Sequence, residues 1–214
     1  TALQSYNELA WSGTHAKFVE VASLAAGLGT NNFAISYVIN SADLTDDVRY
    51  FAFNNGDSDV GRIVHKISPS GQMKIYAQDY DSTAVAYVSQ SADGAISVGE
   101  TYHIVEFFDR TANLITTYIN GVASGVTVDI SDLDGTIHCN GDLEIHYWSE
   151  TFVGIITEIA LWKNTDFSAT EVLELYNDGK PLDALTHTKA DTLEGYWRNN
   201  GLSTWVNLAN PGTK

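Results

Sequence analysis

Residues 152–179 read FVGIITEIALWKNTDFSATEVLELYNDG, and two patterns within them decide the fold. Over residues 154–162, apolar residues recur with a period of two, which predicts a β-strand. Ser168 can then cap a helix, and Glu171, three residues later, can complete a capping box. The run Asn177-Asp178-Gly179 ends the apolar stripe that follows. The segment therefore predicts a long strand followed by one short helix of about two to three turns.

Upstream of this segment the chain is a series of short strand patterns. Residues 33–39 place two Ile, one Phe and one Tyr on the same side of one such strand, which we expect to bury one face and expose the other. Similar runs lie at residues 49–53, 73–78, 84–89, 102–108, 114–119 and 143–148. Asn120-Gly121 is the strongest turn signal between them, because a type I′ hairpin needs positive φ at both positions. Evenly spaced strands with Gly-centred turns predict an antiparallel sandwich.

Composition limits the class of protein. The chain has 214 residues, with 27 Asp and Glu against 11 Lys and Arg, so its formal net charge is −16. A surface this acidic repels polyanions, so we expect no nucleic-acid partner. No apolar run approaches the ~20 residues that cross a bilayer, so we expect no membrane insertion. Residues 1–11 contain neither a basic cluster nor an apolar core, so we expect no signal peptide in this chain.

Three stretches resemble the laminin G-like and concanavalin A-like jelly-roll superfamily. They are AKFVEVASLAAGLGTNNFAISYVIN (16–40), HIVEFFDRTANLITTYINGVAS (103–124) and the strand and helix of residues 152–179. The tail EGYWRNNGLSTWVNLANPG (194–212) is similar to an additional strand in single-domain versions, including ones in bacterial and phage proteins. The resemblance implies an all-β fold, an antiparallel two-sheet β-sandwich (jelly roll, concanavalin A-like) with one short C-terminal helix. We expect a single domain over residues 1–214.

The superfamily includes lectins, adhesion modules, pentraxins and glucan hydrolases, so the fold alone does not fix the function. The resemblance implies a non-catalytic, lectin-like recognition module of an extracellular or virion-surface protein, with a glycan or cell-surface ligand as its partner. Two alternatives stay open. One is a glucanase-like glycoside hydrolase, and the other is a structural or protein-interaction domain without a small ligand.

The hydrolase alternative depends on carboxylates. Enzymes similar to laminarinases carry Glu-x-Asp-x-x-Glu on one strand, and this string is absent here. In its place Asp142, Glu144 and His146 alternate, so they share one face of a strand that we expect to be solvated. If the chain were a hydrolase, its catalytic residues would come from Asp142, Glu144 and Glu158.

Calcium is a further prediction, because acidic loops on a β-scaffold suit a cation that takes six to eight oxygen ligands. Aspartate in turns also binds its own backbone, so ordinary turn chemistry is the competing interpretation. The candidate metal ligands are Asp57, Asp59, Asp79, Asp81, Asp129, Asp132 and Asp134.

Aromatic rings can stack on the apolar face of a sugar while neighbouring polar groups bind its hydroxyls. The candidate ligand-binding residues are Trp148, Tyr80, Glu150 and His146. Trp162 and Trp197 lie in apolar alternation, so we expect them in the core. The six histidines lack a metal-binding spacing, so we expect them on the surface.

Overall fold

The structure is a computed structural model that describes residues 11–12, 16–18, 27–55, 58–81, 85–139, 143–145, 152–199 and 205–209. Its strands are β1 (Trp11–Ser12), β2 (Ala16–Phe18), β3 (Phe33–Ser41), β4 (Val48–Asn55), β5 (Ser58–Ile67), β6 (Met73–Gln78), β7 (Val85–Ser89), β8 (Thr101–Asp109), β9 (Leu114–Ile119), β10 (Val122–Asp129), β11 (Leu143–Ile145), β12 (Val153–Lys163) and β13 (Leu193–Trp197). The helix α1 spans Ala169–Tyr176, and short 3₁₀ turns occupy Asn177–Gly179, Ala184–Thr186 and Ala190–Thr192.

The strands form two antiparallel sheets that stack as a sandwich. The seven-stranded sheet has the order β1-β12-β3-β8-β9-β10, with β13 also paired to β12. The six-stranded sheet has the order β2-β11-β4-β5-β6-β7. The main core lies between the sheets and takes alternate residues from strands of both sheets, such as Ile35 from β3 and Ile63 from β5. The predicted fold class, an all-β antiparallel sandwich with one short helix, is confirmed.

The outer face of the seven-stranded sheet is covered rather than exposed. Trp162 and Ala160 of β12 pack there against Val172 and Leu175 of α1 in a second apolar cluster. Strand β3 is consequently buried on both faces, so the prediction that it exposes one face is wrong. The sequence period identified the strand, but the helix that shields its second face begins more than a hundred residues later.

The helix is capped at both ends by the residues that the sequence predicts. The amide of Glu171 donates to Ser168 Oγ, and the Glu171 carboxylate accepts from the Ser168 amide at 2.7 Å, which closes the capping box. Asn177 ends the helix in the left-handed conformation, with φ 45°.

Trp162 and Trp197 are fully buried, as expected. Within the described ranges, no helix has the length and hydrophobicity that crossing a bilayer requires.

Candidate functional site

A groove of about 400 Å³ lies on the outer face of the six-stranded sheet. We call it the basic groove, and its lining residues are Arg49, Arg62, Val64, Lys66 and Tyr76. Strand alternation places them there: Ile63, His65 and Ile67 of β5 point into the core, so the residues between them point outward. No helix of the described chain covers this sheet, in contrast to the opposite face of the sandwich.

Three cations form a row along one side of the basic groove. In the strand register, Arg49 of β4 lies opposite Lys66 of β5, and Lys66 lies opposite Lys74 of β6. Like charges directly opposite each other destabilise a sheet. Lys66, in the middle of the row, is only 9% exposed, and Lys74 Nζ lies 3.7 Å from Asp47 Oδ1. Several cations on one sheet face of an acidic chain mark a candidate binding surface.

The floor of the groove is apolar and aromatic. Val64 packs with Ala52 and the half-buried Tyr76 in a small cluster separate from the main core. The guanidinium carbon of Arg62 lies 5.3 Å from the centroid of the Tyr76 ring, within cation–π range. The Tyr76 hydroxyl donates to Gln78 Oε1 at 2.9 Å, which fixes the edge of the ring. The groove therefore combines an apolar floor with cationic sides.

A buried polar network lies on the core side of the six-stranded sheet, beneath the basic groove. His65 Nε2 lies 2.6 Å from Glu106 Oε2, and the Tyr37 hydroxyl donates to Glu106 Oε1 at 3.0 Å. Tyr37 and Tyr50 join their hydroxyls at 2.7 Å. The Tyr37–Tyr50 contact and the Glu106–His65 contact each join the seven-stranded sheet to the six-stranded sheet. Because His65 lies between Val64 and Lys66 in sequence, the network holds the strand that forms the groove floor.

The tyrosines of this network stay protonated. Burial raises the pKa of Tyr37 well above its usual value, and the nearby Glu106 carboxylate raises it further. The pKa of Tyr50 rises for the same two reasons.

The prediction of surface histidines is wrong at three positions, because His65, His103 and His187 are buried. His65 is buried because Glu106 gives it a partner inside the core, which the local sequence does not reveal.

Tyr80, which is the predicted sugar-binding residue that the structure describes, does not line the groove. Tyr80 is 44% exposed and its ring stacks on that of His138, with centroids 4.1 Å apart, at the rim beyond β6. Trp148, Glu150 and His146 lie outside the described residues. Their assignment as ligand-binding residues stays a prediction.

Some of the predicted calcium ligands converge, but around a protein cation. Asp79 Oδ2 accepts from the amide of Gly135 at 3.2 Å, and Asp81 Oδ2 accepts from the amide of Thr136 at 2.8 Å. Arg110 donates to the carbonyl of Gly135 at 2.8 Å, and the carboxylates of Asp79 and Asp134 interact favourably with its charge. The hydrogen bond from Thr136 lowers the pKa of Asp81. Asp79 and Asp81 thus accept from backbone amides of this turn, and Asp79 and Asp134 also lie near the charge of Arg110.

Of the remaining predicted ligands, the structure describes the side chains of Asp129, at the end of β10, and Asp132, in the turn that follows. Asp129 Oδ1 accepts from the amide of Ser131 at 2.8 Å, which lowers the pKa of Asp129 and is ordinary turn chemistry. Asp132 is exposed, while Asp57 and the side chain of Asp59 lie outside the described residues. Among the residues that the structure describes, no group of three or more His, Cys, Asp and Glu side chains could hold a metal ion. Calcium binding stays a prediction.

The two described carboxylates of the hydrolase alternative lie on opposite faces of the molecule. Glu144, only 4% exposed, follows the core residue Leu143 and so points to the outer face of the six-stranded sheet. Glu158 sits at a bulge on the other sheet, where it accepts from Arg198 Nε at 2.7 Å and from the Tyr196 hydroxyl. Burial raises the pKa of Glu158. Since a sheet stack is ~10 Å thick, these two acids do not form a hydrolytic pair. Asp142 lies outside the described residues.

The groove residues themselves were not identified from the sequence. The sequence did contain a signal, because Arg62, Val64 and Lys66 alternate along β5 with residues that point into the main core, such as Ile63 and Ile67. Such alternation marks an outward face but is equally common on solvated strands. Only the register that places Arg49 beside Lys66, 17 positions away in the sequence, distinguishes a binding surface.

Solved structures similar to this chain share its sandwich fold. A native heptameric SAP-like pentraxin from Limulus polyphemus has a TM-score of 0.54 at 15% identity, covering 81% of this chain and 84% of the pentraxin. A candidate carbohydrate-binding protein from Bacteroides ovatus ATCC 8483 has a TM-score of 0.60 at 15% identity, covering 86% of this chain and 49% of that protein. The Ruminococcus gnavus IT-sialidase CBM40 bound to α2,6 sialyllactose has a TM-score of 0.52 at 12% identity, covering 77% and 96%.

No protein-family model matches the chain, and no curated protein sequence matches it. The resemblance to the laminin G-like branch in particular therefore stays a prediction. At the identities given above, the structural matches establish the jelly-roll fold and leave the ligand open.

Proposed function

We propose that this chain is a non-catalytic, lectin-like recognition module that binds carbohydrate in the basic groove. The observation that carries the proposal is the composition of that groove, in which the Tyr76 ring and Val64 form an apolar floor between charged sides. Such a floor suits the apolar face of a pyranose, and the charged sides supply hydrogen-bond donors for its polar groups. A volume of about 400 Å³ lies within the range of small-ligand sites.

The structural neighbours support the choice of ligand class. The Bacteroides ovatus protein is named for carbohydrate binding, and the Ruminococcus gnavus module was solved with a bound sialyllactose. We also propose an extracellular or virion-surface setting, which rests on the resemblance to the superfamily alone. The hydrolase alternative has less support, because Glu144 and Glu158 lie on opposite faces of the sandwich.

The experiment compares two tyrosines on a glycan array and by calorimetry. Tyr76→Ala removes the groove floor, whereas the matched variant Tyr80→Ala removes an exposed tyrosine outside the groove. We expect wild type and Tyr80→Ala to bind the same glycans. We expect Tyr76→Ala to lose affinity by about 2- to 12-fold, since stacking on an aromatic ring contributes about 0.5–1.5 kcal/mol beyond area burial. Thermal melts check that each variant is folded.

Three outcomes would overturn this proposal. Loss of binding in Tyr80→Ala alone would move the site to the rim loop. Absence of binding to every glycan would favour a structural or protein-interaction domain. Turnover of laminarin, agar or xylan that Glu144→Gln abolishes would favour the hydrolase.

A further inference from the structure

One side of the sandwich is built from strands without a charged residue. Residues 111–128, which contain β9 and most of β10, include no Asp, Glu, Lys or Arg, although such residues make up 18% of the chain. Residues 82–92, which contain β7, include none either. Strand β10 ends the seven-stranded sheet, and β7 ends the six-stranded sheet. We call β7, β9 and β10 together the charge-free edge.

The ends of the two sheets meet on this side of the molecule. Ser124 Oγ of β10 donates to the carbonyl of Gln90, just after β7, at 2.7 Å. Gln90 Nε2 in turn donates to Thr117 Oγ1 of β9 at 3.1 Å. The opposite edge of the seven-stranded sheet differs, because β13 contains Glu194 and is followed by Arg198. Freedom from charge therefore distinguishes one edge of this sheet from the other.

Strand β10 lacks most of the features that protect an edge strand from pairing. Natural edge strands are shielded by Lys or Pro, by a bulge, or by a covering helix or loop. β10 contains neither Lys nor Pro, no strand of the described chain pairs with its outer edge, and none of its residues belongs to the apolar cluster beneath α1. A bulge lies between Ala123 and Thr127, but the segments Val122–Ala123 and Thr127–Asp129 keep their register with β9. Alternate residues in these segments direct their backbone N–H and C=O groups away from β9, toward the outer edge.

The side chains of β10 are exposed along most of the strand. Val122 is 68% exposed, and Ala123 and Thr127 are exposed as well. Ala123 lies opposite Tyr118 of β9 and Thr127 lies opposite Thr116, so the two residues share one face of the sheet. A strand of eight residues is about 27 Å long. The edge thus presents backbone groups and small uncharged side chains over most of this length.

Two copies of a chain with a net charge of −16 repel each other wherever their acidic surfaces approach. In a two-fold contact each copy contributes the same patch, so a patch rich in acidic residues would meet its own charges. At physiological salt a charge acts over about 8 Å, which is short compared with the ~27 Å length of β10. A basic protein, by contrast, would be attracted to the acidic surface elsewhere and would gain nothing from an uncharged edge. The charge-free edge therefore fits a second copy of this chain.

We propose that two copies of this chain form a two-fold dimer through the charge-free edge, with β10 of one copy antiparallel to β10 of the other. The outward backbone groups hydrogen-bond across the two-fold axis, and the two seven-stranded sheets continue as one. The basic groove stays open in this dimer, because it lies on the outer face of the other sheet, on β4, β5 and β6. The dimer and the proposed function are therefore independent of each other.

Sedimentation equilibrium over a wide range of protein concentration tests the dimer. We expect the mass to rise from that of the 23.3 kDa monomer to twice this value and no further. Because the two copies carry like charge and their contact is uncharged, we expect added salt to strengthen the dimer. A monomer at every protein and salt concentration would refute the proposal. Growth into larger assemblies would refute it as well, since a two-fold contact closes on itself.

Charged substitutions assign the contact to β10. Ala123→Glu combined with Thr127→Glu places two acidic side chains on one face of the edge strand in each copy. We expect this variant to raise the Kd of the dimer about tenfold or more, since like charges that face each other across an interface oppose association. Ala123→Lys combined with Thr127→Lys should weaken the dimer for the same reason. An equimolar mixture of the two variants should form a mixed dimer, because opposite charges then face each other.

The matched control is Leu185→Glu combined with Val206→Glu. It adds the same two charges at exposed apolar positions near β13, at the opposite edge of the sheet. We expect this control to dimerise like wild type, and thermal melts check that every variant is folded. Equal dimerisation of the Ala123 and Thr127 glutamate variant and of wild type would place the contact on another surface. A mixture of the glutamate and lysine variants that stays monomeric would show that β10 does not face its counterpart, and either result refutes the proposal.

Discussion

Replacing Glu106 with leucine should destabilise the sandwich more than any single change on its surface. The Glu106 side chain is fully buried and contacts both His65 Nε2, at 2.6 Å, and the Tyr37 hydroxyl, at 3.0 Å. The leucine variant would leave the His65 ring without its partner in the core. Glu106 accepts from or contacts two buried polar groups, and each one left unsatisfied costs about 1–3 kcal/mol, so the loss is roughly 4 kcal/mol out of the ~5–15 kcal/mol by which domains are stable.

The assay is urea unfolding followed by tryptophan fluorescence. For an m-value of about 3 kcal/mol per molar, a loss of roughly 4 kcal/mol lowers the midpoint by about 1.3 M. The matched control Glu100→Leu alters an exposed glutamate just before β8 and should shift the midpoint by much less. The double variant Glu106→Leu with His65→Leu should be more stable than the sum of the two single losses predicts, since it removes both polar partners together.

Two results would refute this reasoning about the network. A midpoint for Glu106→Leu within experimental error of wild type would mean that the contacts contribute nothing net to stability. Strict additivity of the Glu106 and His65 variants would mean that the two side chains are not energetically coupled, so that the network does not hold the two sheets together.

Three further predictions concern the rest of the scaffold. Burial lowers the pKa of His103 to about 3, so between pH 6.5 and 3 the unfolded chain binds a proton that the native protein does not. The free energy of unfolding should therefore fall as pH falls through this window, and it should fall less steeply in His103→Gln. Chemical unfolding at several pH values measures both slopes. Ser168→Ala removes the helix cap and should cost about 1 kcal/mol in urea unfolding, whereas an unchanged midpoint would mean that the capping box is dispensable. Gly71→Ala should lower the melting temperature by several degrees, because Gly71 has φ 72° and an added Cβ would lie 2.1 Å from the Ile96 carbonyl oxygen; a melt equal to that of wild type would show that the turn can rearrange.

The sequence by itself determined the elements and the fold class. A strand period ending in a capped helix is a local pattern, because alternation and capping depend on residues a few positions apart. Ser168, Glu171 and Asn177 therefore act as predicted, and Trp162 and Trp197 are buried as their apolar neighbours indicated. The resemblance then supplied the two-sheet arrangement that the topology confirms.

Only the tertiary structure decided which side chains meet. The row formed by Arg49, Lys66 and Lys74 exists because of strand register, and the pairing of His65 with Glu106 joins residues 41 positions apart across the core. Sequence periods give the face of a strand on which a residue lies but not the neighbour it acquires there, nor whether another element covers that face. Register and coverage follow from packing over the whole chain, and for this reason the basic groove became visible only once the sheets were assembled.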